Sequence, residues 1–162
     1  MTAVPDRVAR AFRDHGSFER VGDGEYESVT TPFEGVVAVA PGEDGRMAFD
    51  VTVRVPTLGE VVDGRVADVV EDGWYETFAL RVADVGGVMR GERDVAPEVH
   101  RRGGEVVVEW SFEDVNERRG VDDAGALVDY VEGTYAQGIV PGYDYLPPAS
   151  DIVDRARQHG ER

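Results

Sequence analysis

The chain opens with apolar residues at helical spacing. Val4, Val8, Ala11 and Phe12 fall at i, i+4, i+7 and i+8, one stripe along a helix. Pro5 and Asp6 suit its first turn, and Gly16 suits a stop. The period then shortens to two. Residues 25–30 and 35–40 read as strands, with 18–21 as a further candidate, and Pro41-Gly42-Glu43-Asp44-Gly45 reads as a turn. The clearest strand is 47–55: Met47, Phe49, Val51, Val53 and Val55 point one way, Ala48, Asp50, Thr52 and Arg54 the other. That alternation belongs to a sheet with one covered and one wet face.

After Pro56 the helical period returns. Thr57 can cap a helix carrying Leu58, Val61, Val62, Val66, Val69 and Val70, broken near Gly64. Glu71-Asp72-Gly73 reads as a turn, and Trp74, Phe78, Val82 and Val85 form the next helical stripe. Gly86-Gly87 opens a loop. Residues 94–100 and 105–113 read as a hairpin about Arg101-Arg102-Gly103-Gly104. Asp122 or Asp123 starts a helix with Leu127, Val128, Val131 and Tyr135, ended by Gly138 and Pro141. Ser150 caps a last short helix over 151–159. The predicted order is α-βββ-αα-ββ-αα. It describes one α+β domain over 1–162, two-layered, with helices on one face of an antiparallel sheet.

This succession resembles the small fold of type III secretion chaperones and their bacterial relatives. At sequence level the chain resembles an uncharacterised haloarchaeal family, a domain of unknown function. The residues that carry this likeness are Pro5-Asp6-Arg7-Val8-Ala9-Arg10-Ala11-Phe12, Val55-Pro56-Thr57-Leu58, Val70-Glu71-Asp72-Gly73-Trp74-Tyr75-Glu76-Thr77-Phe78 and Gly142-Tyr143-Asp144-Tyr145. The family resemblance spans most of the chain and implies no activity and no site residues.

Charge adds a condition to this outline. Thirty-three acids face seventeen bases, a formal net charge of −16, and every one of the seventeen is arginine. Such self-repulsion destabilises a compact state at low salt. Molar salt shortens the Debye length to about 3 Å and screens it. With 41% apolar residues, and acids spread rather than blocked, a disordered tail is not indicated. The composition predicts a salt-adapted surface. Twenty-nine valines against two isoleucines suggest GC-rich codon usage, which accounts for arginine in place of lysine but not for the acid excess.

Composition also removes chemistries. Without cysteine there is no disulfide, thiolate metal site or cysteine nucleophile. Without lysine there is no P-loop or Schiff-base lysine. No serine sits in Gly-x-Ser-x-Gly, and no Gly-x-Gly-x-x-Gly follows a strand. Neither Glu43-Asp44-Gly45 nor Glu71-Asp72-Gly73 extends to calcium-loop spacing. His15, His100 and His159 lie far apart, near the ends of predicted elements. The pairs Asp122-Asp123 and Asp151/Asp154 read as helix N-terminal charges rather than an acid–base couple. No catalytic residue, cofactor or metal is therefore assigned. The N-terminus shows no signal-peptide pattern and no apolar run approaches the ~20 residues of a membrane span, so a soluble cytoplasmic protein is expected.

Binding residues are the remaining candidates. Tyr143, Tyr145 and Leu146 stand on a proline-stiffened loop, 141–148, where aromatics can form a recognition surface or cover the core. Arg101-Arg102 and Arg118-Arg119 are the adjacent basic pairs, and the 105–113 strand could bring them into one basic spot. Ion pairing with neighbouring acids is the simpler role. The global field disfavours nucleic acid. The leading expectation is a noncatalytic, chaperone- or adaptor-like module with a protein partner through Tyr143, Tyr145, Leu146, Arg101 and Arg102, its oligomeric state unspecified, a homodimer included. The competing expectation is a small-molecule enzyme built from scattered carboxylates, arginines and tyrosines.

Overall fold

The computed structural model describes residues 4–85, 89 and 96–160, with 156–160 described by their backbone alone. Helix α1 (Asp6–His15) is the predicted first helix. Its Val8, Ala11 and Phe12 are buried, and Gly16 closes it in the left-handed conformation at φ 81°. Four strands follow: β1 (Phe18–Gly22), β2 (Glu25–Ser28), β3 (Glu34–Pro41) and β4 (Met47–Pro56). The candidate strand at 18–21 is thus real, so the meander has four strands rather than three. Asp44 and Gly45 take positive φ in the predicted turn between β3 and β4.

Next come α2 (Leu58–Val61) and α3 (Asp68–Ala83), then β5 (Glu98–Arg102), β6 (Glu105–Asp114), α4 (Glu117–Gln137) and α5 (Ala149–Gly160). The six strands form one antiparallel sheet in the order β1-β2-β3-β4-β6-β5. Tyr26, Val37, Phe49, Val51, Val53, Val106, Val108, Trp110 and Phe112 face a shared core with α1, α3 and α4. The opposite face carries Glu25, Glu27, Asp50 and Ser111 in the open. The architecture is the expected two-layer α+β domain.

Three boundaries differ from the sequence expectation. Glu71-Asp72-Gly73 is not a turn but lies inside α3. Burying Trp74, Phe78 and Val82 outweighs the ~1 kcal/mol that an internal glycine costs a helix. Helix α4 begins at Glu117 rather than Asp122, because Asn116 caps it, its side chain accepting from the Arg119 amide at 3.0 Å. Asp122 and Asp123 are consequently internal to α4, and Asp123 is fully buried. The hairpin turn is confined to Gly103-Gly104, so Arg101 and Arg102 belong to β5. The Gly86-Gly87 loop and the start of the 94–100 arm lie outside the described residues.

Candidate functional site

The 141–148 loop is tied down along its length. Tyr145 forms a β-bridge with Val62, the Leu146 amide donates to the Val61 carbonyl at 2.7 Å, and the Asp63 amide donates to the Asp144 carbonyl at 2.7 Å. The Tyr145 hydroxyl accepts from the Val140 amide at 2.9 Å and donates to the Val140 carbonyl. Burial pushes this phenol above its ordinary pKa. Tyr143 and Tyr145 are half-buried against the core, and Leu146 alone of the three is exposed. Tyr143 and Tyr145 thus pack in part against the core and stay in part exposed.

The two arginine pairs do not meet. Arg102 pairs in register with Glu105 at the start of β6, whereas Arg119 grips Asp114 at its end. Nine residue steps along β6 separate these points, roughly 30 Å at ~3.3 Å per residue. Each pair has local partners. Arg101 binds Asp72 at 3.0 Å and lies over the Tyr75 ring, and Arg118 binds Asp14 at 2.7 Å. Arg119 donates twice to the buried Asp114, at 2.7 Å each. The single basic spot does not form.

His15 ends α1, 3.7 Å from Asp122, His100 lies within β5, and His159 falls in α5, where its side chain is outside the described residues. Among the described residues no group of three or more His, Asp or Glu could hold a metal ion. No described helix is long and apolar enough to cross a membrane.

What the fold builds instead is a groove between α3 and α4. These helices run antiparallel, tied at two points. The Tyr130 hydroxyl sits 2.6 Å from the Arg81 carbonyl and 2.9 Å from that of Asp84, one donor shared between two carbonyls at the end of α3. Arg81 Nη1 reaches back to the Gln137 carbonyl at 3.3 Å. One section of the groove, about 580 Å³, is lined by Arg81, Asp84, Asp129, Tyr130, Gly133 and Gln137. The next, about 260 Å³, is lined by Val70, Gly73, Trp74, Thr77, Phe78 and Val140. Arg81, Thr134 and Gln137 line both.

The two sections differ in character. Beneath the smaller lie the stacked rings of Trp74 and Phe78, 5.6 Å apart and buried in the core. The larger carries charge. Asp129 remains open to solvent on one side, yet the protein packed around it pushes its carboxyl above the ordinary value, with His15 opposing. Val69 and Leu80 stand beside the groove, 79% and 74% exposed. They are eleven residues apart, about three turns, so they share one side of α3. Leu80 was the legible signal, an apolar residue off the Trp74/Phe78/Val82 stripe. Arg81, Asp129, Tyr130, Thr134 and Gln137 carry no local motif and come together only through helix packing.

A family model described as "Family of unknown function (DUF5813)" matches residues 13–155. No curated protein and no solved structure matches the chain.

Proposed function

The chain belongs to this family of unknown function, DUF5813, and from that premise we propose that it is a noncatalytic interaction module, adaptor- or chaperone-like, which receives a segment of a partner polypeptide in the α3–α4 groove. The observation that carries this reading is the open groove between α3 and α4, whose α3 side is flanked by the exposed Val69 and Leu80. Apolar side chains left in water along one side of a helix mark interaction surfaces when they flank a concavity. The acid-rich composition fits a salt-adapted cytosolic setting for that partner.

A photo-cross-linking residue at Thr77, inside the groove, should capture one defined set of polypeptides that the same residue at Val29 does not. Filling the groove with Gly133→Trp should abolish the capture, since Gly133 has open space beside it. Equal capture at both positions, or capture indifferent to Gly133→Trp, rejects the reading. A small-molecule enzyme is the second reading, favoured by Asp129 and Tyr130 of α4 lining one cavity with Arg81 of α3. It predicts no polypeptide at Thr77 and a groove-dependent thermal shift with small metabolites.

A further inference from the structure

We propose that a separate cavity, between the start of α1 and the β1–β2 turn, binds a small uncharged molecule, mostly apolar, with one hydrogen-bond acceptor. This goes beyond the groove reading and stands without it. The cavity measures about 480 Å³, a size that suits a small ligand. Its apolar wall comes from Val4, Ala9 of α1, and Val39 and Pro41 of β3. Val4 and Ala9 are only half-buried and Pro41 is exposed, so this wall is not already spent on the core.

Tyr26 of β2 lines the same cavity and is 4% exposed. It pairs directly with Arg20 across β1 and β2, so both side chains stand on the face that carries α1. Its ring lies flat on Phe12, centroids 3.8 Å apart, which fixes its direction. Its hydroxyl has no hydrogen-bond partner among the described residues, an uncommon state for so buried a polar group. Unlike the sealed Nδ1 of His15 and Nε1 of Trp110, it keeps contact with open space, and the space beside it is this cavity. Burial pushes the phenol above its ordinary pKa, with Arg20 opposing, so at neutral pH the hydroxyl keeps its proton and is free to donate it in a hydrogen bond.

The charged groups around the cavity do not call for an ion. Arg20 gives Nη2 to Asp23 at 2.7 Å and Nε to the Gly22 carbonyl at 3.3 Å. Asp6 stands exposed in the first turn of α1, where it complements the helix dipole. An entering ammonium meets Arg20, and an entering carboxylate meets Asp6 and Asp23. Either would leave water for a site whose one unpartnered buried group is a neutral hydroxyl. A ketone oxygen loses less hydration and gains the bond from Tyr26. The site is also firmly built, since the Val39 amide donates to the Gly24 carbonyl at 2.7 Å and a methyl group on Gly24 would overlap the Val39 carbonyl.

The test uses the full chain in molar KCl, which screens diffuse attraction and repulsion of charged probes. Cyclohexanone, cyclohexylammonium and cyclohexanecarboxylate serve as probes, one apolar body under three heads. Amide chemical shifts should move at Ala9, Gly24 and Val39 and not at Thr77 in the groove. Cyclohexanone is expected to bind about tenfold or more tightly than either ion. Tyr26→Phe should weaken it about two- to tenfold, the scale of one hydrogen bond. Ala9→Leu, which fills the cavity from α1, should weaken it as well. Tyr26→Phe should also melt at the wild-type temperature or above, because the hydroxyl it removes has no partner in the described protein. Equal affinity for the three heads overturns the proposal, as does affinity unmoved by Tyr26→Phe. Shifts centred on Thr77, no binding of cyclohexanone, or a lower Tm for Tyr26→Phe overturn it too. None of these outcomes bears on the capture of polypeptides at Thr77.

Discussion

Asp129 shows how one residue's surroundings make a measurable difference. Its carboxyl is raised by the protein packed around it, while His15 pulls in the opposite direction and Arg81 and Asp84 line the same cavity. An acid whose folded pKa exceeds its unfolded pKa contributes stability below the unfolded value, and that contribution is lost as pH rises through the folded value. At neutral pH ionised Asp129 therefore weakens the fold. Asp129→Asn is expected to raise the Tm at neutral pH, with the gain shrinking as pH falls toward about 3, where the wild-type acid is itself protonated. The effect is small because the group stays open to water on one side. Thermal melts of both proteins across the acid range check it, and a gain that grows on acidification contradicts it.

At the scale of elements, two glycines inside helices have different reasons for being there. Gly73 in α3 has nothing near it and stands on the groove wall. Gly120 in α4 is buried, and a methyl group at its position would overlap the ring of Phe49 in β4. The absence of a side chain lets the first turns of α4 lie close to the sheet. Gly120→Ala should raise intrinsic helix propensity by ~1 kcal/mol and incur a steric cost of about 1–3 kcal/mol in a packed core. The Tm is expected to fall by a few degrees, at about 2–4 °C per kcal/mol for a chain of this size. Gly73→Ala has no such neighbour and should leave the Tm unchanged or higher. Equal effects at the two positions would contradict this account of α4 packing.

For the molecule as a whole, charge is the dominant quantity. The sheet's outward face presents Glu25, Glu27 and Asp50, and at net charge −16 the acids outnumber the bases that could pair with them. The described ion pairs are mostly exposed, such as Arg20–Asp23 and Arg118–Asp14, and exposed pairs contribute little, about 0–1 kcal/mol each. Stability should therefore rise steeply with KCl, as screening relieves repulsion that ion pairing does not. Melting in dilute buffer and in molar KCl tests this. Equal Tm values would show that the acid excess has no role in folding stability.

The alternation of residues 47–55 and the helical stripe of Val8, Ala11 and Phe12 determined the fold class, because burial on one side imposes a period that depends on no distant residue. The acid excess likewise follows from the sequence alone, since it concerns the sum of charges rather than their places. Tertiary structure decided where helices begin and what the candidate residues do. Asp72-Gly73 and Arg119-Gly120 look like breaks locally, and only packing against the sheet and α4 holds them helical. Tyr145, a recognition candidate on its loop, has its hydroxyl fixed by tertiary structure, because the Val140 backbone offers it both a donor and an acceptor. The acidic sequence concealed Asp129 among thirty-two other acids. It became a candidate when antiparallel packing set it across a groove from Arg81, a relation between positions forty-eight residues apart that no local pattern encodes.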